Sequence, residues 1–522
     1  MCRPRFAIRR VGDVPEKGDG SRLAGYQPAA DGSRARSPVR KETPIDGPAE
    51  NVLEELFVTA IAHVGYADAV FAWPKGDAER YARLVREATA ADPGWTAAFL
   101  GWLRTATPMR FPALTGAAAF VRERLDRGLA GMSRQVVGSV LRHPHDPGLL
   151  LGHWRGARGA PLPKPLKRGV ADAVVRLYDE RALALHDTGG RHLSVPAFLR
   201  RTLSFDRGIR APRPLRFGDV ISLVHPRPRD AAQAEVFRLA LGRRSPAVPA
   251  RSWRQEAGAL HRRLRAADWE RLVPRMPLPE LLDGLRRFDA AGISFDTAME
   301  IAERLADPAE VRASGLLPLR FAAARDAVAD QRWGRVLEAS ADVNLDAVPP
   351  IPGRTLIVAE TRTAAGAVFV LALAHRCASA DLVTSAGEPL PHVPGESPLH
   401  GRRRWPAAGL AEASIRDPAA VDRAVDGHDR VLIVDSPGSA DLDPAVPVYE
   451  WRAEHWPHLA DPPLPAGRVR FDGLSDAALG AVPLIEDARR GRWPFAVPVP
   501  APVPREAARS GGRPVTPRTG GR

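Results

Sequence analysis

The order in which two hydrophobic periodicities occur along the chain is the strongest restriction on its fold. From about residue 49 to residue 350, apolar residues recur at helical spacing and no strand pattern interrupts them. After Pro349, short β-branched runs alternate with helical segments. Successive helices without strands predict an α-solenoid or ring, whereas alternating strands and helices predict a parallel sheet covered on both faces. We therefore expect a helical domain at 49–350 and an α/β domain at 351–486.

Apolar stripes and helix-start signals support the helical domain. Its first two stripes are Val52, Leu53, Leu56, Phe57, Ala60, Ile61 and Val64, followed by Tyr81, Leu84, Val85 and Ala88. Asp-Pro pairs at 92–93, 307–308 and 417–418 predict helix starts, because Asp can cap a helix and Pro fits its first turn. The repeated helices have no strict fixed period.

Short apolar runs define the α/β domain. They predict strands at 355–359, 381–384, 431–434 and 446–449, with helices at 363–379 and 419–424. Ligands of such sheets bind beyond the carboxyl ends of the strands, which here are residues 360–364 and 435–438.

Composition restricts the partner and the compartment. The formal charge of +14, from 75 Lys and Arg against 61 Asp and Glu, favours a polyanionic partner such as nucleic acid. Residues 1–48 and 487–522 lack periodicity and are predicted to be a disordered basic arm and a disordered Pro/Arg-rich tail. Two cysteines form no disulfide framework, and the longest apolar run is too short for a membrane span. We expect a cytoplasmic protein with no membrane partner.

One predicted helix, at 163–178, begins with an unusual charge. Lys164, Lys167 and Arg168 lie in its first turn, although the chain has only five lysines and a helix N-terminus is already positive. Such a turn favours an anionic ligand. The alternative is a solvated ladder in which Asp172 pairs with Arg168 and Arg176. The opposite, buried face is Val170, Ala173, Val174, Leu177 and Tyr178.

Five segments, in this order and spacing, resemble the TROVE-domain family, which includes the Ro autoantigen and its bacterial relatives. They are residues 37–40, 167–173, 217–226, 285–292 and 352–356. The resemblance implies a ring-like α-solenoid of HEAT-like helical repeats, followed by a von Willebrand factor A-like, doubly wound α/β domain.

The resemblance also implies an RNA partner. Family members bind small noncoding Y or Y-like RNA on the outside of the ring, and ends of misfolded RNA can enter the central hole. This implies a role in RNA quality control or ribonucleoprotein assembly, with an exoribonuclease or another ribonucleoprotein component as a further partner. The basic helix corresponds to a segment that contacts Y RNA in relatives, and residues 189–214 resemble an insertion, for which a solvated loop is the alternative. The candidate RNA-binding residues are Lys164, Lys167, Arg168, Arg176, Arg200 and Arg201.

At the metal site of the A-like domain the chain departs from its relatives. They hold Mg²⁺ with an Asp-x-Ser-x-Ser motif, a distant Thr and a Thr-Asp-Glu run, which supply the oxygen ligands that Mg²⁺ prefers. The corresponding residues here are Glu360, Arg362, Ala364, Ala411 and Ser436. Hydroxyl ligands are lost and a cation is added, so we expect a degenerate site with no metal and no cofactor.

Enzyme signatures are weak. Ser436 lacks the preceding glycine of a nucleophile elbow, and His143, His145 and His153 are interpreted as loop and cap residues. We expect no catalytic activity. Two alternatives to RNA binding remain open: a protein-interaction scaffold, as a divergent paralogue that has lost metal and RNA binding, and a hydrolase that uses Glu360 and Asp435.

Overall fold

The structure is a computed structural model of the chain. It describes residues 48–64, 75–158, 161–187, 215–244, 264–328, 331–360, 363–405, 418–435, 446–452 and 467–496.

The first part of the chain is helical. Its helices up to residue 241 are α1 (Pro48–Ala62), α2 (Lys75–Ala91), α3 (Pro93–Ala106), α4 (Arg110–Asp126), α5 (Ser133–Val140), α6 (Asp146–Arg158), α7 (Lys164–Leu177), α8 (Glu180–His186), α9 (Phe217–Val224) and α10 (Ala231–Leu241). Those that follow are α11 (Ala266–Leu272), α12 (Leu278–Ala291), α13 (Phe295–Ala306), α14 (Pro308–Ser314), α15 (Pro318–Ala327) and α16 (Gly334–Ser340).

The predicted stripes and helix starts are confirmed where the structure describes them. Phe57 and Ile61 of α1 and Leu84 of α2 are buried in one continuous core. The Asp92 carboxylate accepts the backbone N–H of Trp95 at 2.8 Å, and Asp307 caps α14 in the same way. Local sequence therefore sets where these helices begin, and their apolar faces set how they pack.

The second part is an α/β unit. Its elements are β1 (Ile351–Ala359), α17 (Ala364–Arg376), β2 (Cys377–Val383), α18 (Pro398–Gly401), α19 (Pro418–Ala424), β3 (Arg430–Val434), β4 (Val448–Arg452), β5 (Arg468–Asp472) and α20 (Ala481–Arg489). All neighbouring strands are parallel, in the order β2-β1-β3-β4-β5. The predicted helix at 363–379 ends earlier, at Arg376, because Cys377 already belongs to β2.

The sheet is covered on both faces. Successive residues of β1 and β3 enter two different cores: Ile357 and Leu432 belong to the large core, whereas Val358 and Ile433 belong to a smaller cluster with Val421 of α19. Buried strands of a parallel sheet are apolar on both sides for this reason. The structure thus confirms the predicted fold class, helical repeats followed by a doubly wound α/β domain.

Both ends of the helical array contact the α/β unit. At one end, α1 packs against α20 and β5, and at the other end α15 packs against α17. The cores of α1 to α10 and of α11 to α16 are separate clusters within the described residues, and both include residues of the α/β unit. This arrangement is the one expected of a ring that the α/β domain closes.

The predicted disordered tail does not begin at residue 487. Helix α20 continues to Arg489, and the segment after it packs on the first helices. The ring of Trp493 lies 4.9 Å from that of Trp95, and Phe495 lies 5.5 Å from the same residue. Aromatic burial therefore extends the packed region to residue 496, and the rest of the predicted tail lies outside the described residues.

Among the described residues, no helix is long and apolar enough to cross a bilayer.

Candidate nucleic-acid interface

Helix α7 presents the basic turn that the sequence predicts. It begins at Lys164, its N-cap is Pro163, and no side chain caps it. Lys164 and Arg168 are exposed and Lys167 is half-buried. Positions separated by three or four residues share one face of a helix, so the three cations lie together beside the unpaired N–H groups of the first turn.

The opposite face of α7 fixes the helix on the core. Val170, Ala173, Val174 and Tyr178 are buried, as the apolar stripe predicts. Gly169 allows a close approach to α5, since a Cβ at this position would lie 2.7 Å from Cβ of Val137 and 2.8 Å from the carbonyl oxygen of Arg134. The cationic face is consequently held towards solvent.

The acid on α7 is already paired with another helix. Asp172 accepts two hydrogen bonds from the guanidinium of Arg134 on α5, at 2.6 and 2.9 Å. The ladder of Arg168, Asp172 and Arg176 is therefore wrong. Within the described part of the chain, Lys164, Lys167 and Arg168 form no ion pair, so the turn keeps its charge for solvent or an anion.

Arg176 has a structural role. Its guanidinium donates to the carbonyl oxygens of Gly138 at 3.1 Å and Leu141 at 2.6 Å, at the C-terminal end of α5. A cation there satisfies carbonyls that the helix leaves unpaired. RNA contact by Arg176 stays a prediction. Arg200 and Arg201 lie outside the described residues.

Three other arginines of the helical array, Arg110, Arg286 and Arg287, differ in their surroundings. Arg110 donates to the buried carboxylate of Asp146 at 2.6 Å, and Arg104 contacts the same carboxylate at 3.1 Å. Burial opposes ionisation of Asp146, but the cations and backbone N–H groups outweigh it and lower its pKa. Arg110 is therefore an ion-pair partner of a buried acid. Arg286 and Arg287 of α12 are exposed, with no ion pair to another described residue.

Comparison with known proteins agrees with this architecture. A family model described as the TROVE domain matches residues 238–346, from the end of α10 to the turn before β1. In this segment the chain is similar to the TROVE domain. Its fold also matches the crystal structure of the Ro (RSR) protein of Deinococcus radiodurans, with a TM-score of 0.56 and 16% identity over 84% of this chain and 99% of the other. No curated protein matches the sequence.

The TROVE match covers the second half of the helical array, so the basic turn of α7 lies outside it. The assignment of Lys164, Lys167 and Arg168 to RNA therefore depends on their own geometry and charge. At 16% identity, the likeness to the Deinococcus protein establishes the fold alone.

The metal site implied by the A-like domain is poorly matched. Glu360 and Asp435 follow the neighbouring strands β1 and β3, and Asp435 has a left-handed backbone with φ of 55°. The Thr363 hydroxyl caps α17 by accepting the N–H of Gly366 at 3.0 Å, and Ala364 has no side-chain oxygen. These described residues lack the hydroxyl ligands of the Asp-x-Ser-x-Ser motif, although Glu360 and Asp435 keep carboxylate oxygens. Arg362, Ala411 and Ser436 lie outside the described residues, and the absence of a metal stays a prediction.

Sequence reasoning missed several partners that folding brings together. Arg134 meets Asp172 across 38 positions, and His186 meets His145 across 41. Neither separation matches a helical or strand period, so no local signal could have identified the pairs. The sequence interpretation grouped His153 with His143 and His145, but the structure places His186 beside them.

Proposed function

We propose that this protein is an RNA-binding ring protein. It binds a small noncoding Y-like RNA, together with ends of misfolded RNA, and acts in RNA quality control or ribonucleoprotein assembly. An exoribonuclease or another ribonucleoprotein component is the expected protein partner. The similarity to the TROVE domain supports the RNA class, and the net charge of +14 supports a polyanionic partner.

The observation that best supports the proposal is the unpaired cationic turn of α7. Lys164, Lys167 and Arg168 add three charges to a helix start whose backbone N–H groups already attract anions. Phosphate would replace the acidic residues that helix starts usually have. Because cations that meet phosphates release condensed counterions, binding should weaken steeply with salt.

Reversing two charges in this turn tests the assignment. We expect Lys164→Glu with Lys167→Glu to weaken RNA binding by about 2–4 kcal/mol, through lost phosphate contacts and added repulsion. The RNA probe is the species that copurifies with the full chain from its native cell, identified by extraction and sequencing. Its affinity is measured across a salt titration, in which the variant should have a shallower slope.

The matched control is Arg286→Glu with Arg287→Glu, which changes the net charge equally on exposed positions of α12. An equal loss in both variants would assign the effect to net charge rather than to α7. If the protein purified from its native cell carries protein partners but no RNA, the result would instead support the scaffold alternative.

We also infer that the chain binds RNA without cleaving it. The two carboxylates that follow β1 and β3, Glu360 and Asp435, are the best-placed acidic pair for a hydrolase at the sheet edge. If the protein is a binder, Glu360→Gln with Asp435→Asn leaves activity in a nuclease screen unchanged. A nuclease activity that disappears in this variant would contradict the inference.

A further inference from the structure

Three histidines meet beside the start of α6, away from the cationic turn. His143 and His145 lie in the turn before α6, and His186 is the last residue of α8. Their ring centroids are 4.8 to 5.0 Å apart. One ring nitrogen of each lies within 4.8 Å of a ring nitrogen of the other two, and all three residues are partly buried.

Burial disfavours a positive charge on two of these rings. Burial, with a smaller effect of Arg110, lowers the pKa of His143 to about 3, and burial together with His186 and Arg110 lowers the pKa of His145 to about 4. A neutral imidazole keeps one nitrogen lone pair, and this is the form that binds metal ions.

The hydrogen bonds of His145 suit a metal ligand. Its Nε2 lies 2.9 Å from the carbonyl oxygen of His186, and because a carbonyl only accepts, Nε2 is the protonated nitrogen. Nδ1 keeps the lone pair. Metal-ligating histidines commonly donate their other N–H to a backbone carbonyl, which fixes the ring orientation.

We propose that His143, His145 and His186 form a site for a divalent transition-metal ion of the zinc class, with a fourth position for water. Three histidines and one open position are a known zinc ligand set. Tetrahedral Zn–N bonds of about 2.0–2.1 Å place ligand nitrogens about 3.4 Å apart, so nitrogens that lie within 4.8 Å of one another must approach by up to about 1.4 Å. The site is independent of the α/β domain and of the RNA-binding proposal.

The surrounding charges set the expected behaviour. His143 Nδ1 accepts the N–H of His145 at 3.2 Å, so the proton of the neutral ring is on Nε2. Metal binding at Nε2 requires the other tautomer, with this proton on Nδ1. Arg110 lies 3.5 Å from Nδ1 and opposes a dication, although its pairing with Asp146 reduces this effect. We therefore expect moderate affinity.

Metal titration of the full chain tests the site. Chelator-treated protein is titrated with Zn²⁺ by calorimetry and with Co²⁺ by visible absorption. We expect one metal per chain, Co²⁺ bands of a tetrahedral complex, and thermal unfolding that Zn²⁺ shifts upward. His186→Ala and His145→Ala should each reduce affinity by at least about tenfold.

His225→Asn is the matched control. His225 is an exposed histidine with a left-handed backbone that Asn tolerates, and it lies outside the cluster. This variant should bind metal as the wild type does. The proposal is overturned if the wild type binds neither ion below millimolar concentration. It is also overturned if folded His186→Ala, checked by circular dichroism, keeps wild-type affinity.

Discussion

Asp476 shows what a single carboxyl does where the two parts of the molecule meet. Its Oδ1 accepts the backbone N–H of Leu319 at 3.0 Å, in the first turn of α15. The N-cap of α15, Leu317, has no capping side chain, so an acid from the α/β unit supplies the bond. Burial raises the pKa of Asp476 from 3.8 to about 6, and the hydrogen bonds only partly oppose this.

The raised pKa predicts a specific pH dependence of stability. The folded protein binds the proton of Asp476 more tightly than the unfolded chain does. The contribution of this protonated carboxyl to the free energy of unfolding is therefore full below pH 3.8 and is lost as the pH rises through about 6. Asp476→Asn keeps an acceptor for Leu319 without a charge. We expect the variant to gain about 1–3 kcal/mol over the wild type between pH 4 and pH 7.

Chemical denaturation of both proteins over this pH range measures the difference between their free energies of unfolding. Contributions from the other acids are the same in both proteins and cancel in this difference. A constant difference across the range would contradict the prediction.

Side-chain caps differ in whether the sequence can predict them. Asp92 and Asp307 cap helices two or three residues away and were predictable, whereas Asp476 caps a helix 157 positions away.

At the scale of elements, the packing of α7 on α5 positions the basic turn. Gly169 faces the backbone of α5, and the pair of Asp172 and Arg134 joins the same two helices. Periodicity predicted α7 and its buried face correctly. Periodicity could not predict that α5 lies against α7. It therefore could not predict that Asp172 pairs with Arg134 of α5 rather than with Arg168.

Gly169→Ala tests this packing. Alanine favours a helix, but its Cβ would lie 2.8 Å from the carbonyl oxygen of Arg134, which cannot move without α5. We expect a loss of about 1–3 kcal/mol in stability and weaker RNA binding, because α7 must shift. Thermal unfolding and the RNA titration measure the two effects.

Gly138→Ala on α5 is the matched control for this substitution. A Cβ there meets nothing within 4 Å, so the higher helix propensity of alanine should stabilise the protein by up to about 1 kcal/mol. If both variants change stability in the same direction, close packing at Gly169 is not the cause.

The element that sequence reading missed most clearly is β5. Arg468–Asp472 contains only two apolar residues, Val469 and Phe471, between charged ones. It lies at the edge of the sheet, where one side of the backbone has no strand partner in the described chain. The inner strands β1 and β3 were predicted, because burial on both sides gives each of them a continuous apolar run.

At the scale of the whole molecule, the two ends of the described chain meet. Trp493 and Phe495 pack among the aromatic residues of α1 and α3, with the ring of Trp493 5.5 Å from that of Phe57 and Phe495 5.8 Å from Trp102. Composition suggested a disordered tail here because proline and arginine surround these two rings. Their burial depends on a surface formed more than 390 positions earlier, which is beyond any local pattern.

Removing this aromatic contact should loosen the closed arrangement. We expect Trp493→Ala with Phe495→Ala to reduce stability by about 3–5 kcal/mol, since each ring is only partly buried and a single buried aromatic costs about that much. Hydrogen exchange of α1 and α3 should increase in the variant, and thermal unfolding should occur at lower temperature.

Phe295→Ala is the control, because this ring on α13 is 76% exposed and its loss should change stability by less than about 0.5 kcal/mol. Unchanged exchange in α1 after loss of Trp493 and Phe495 would show that the end-to-end contact does not hold the array closed.

The contact between α1 and the segment after α20 has a consequence for synthesis of the protein. A nascent chain leaves the ribosome from its N-terminus, so α1 and α3 emerge long before the residues that cover them. Until Trp493 and Phe495 have been synthesised, Phe57 and Trp102 lack their final neighbours and expose apolar surface. We therefore expect chaperones to bind the nascent helices α1 and α3 until the segment after α20 has left the ribosome.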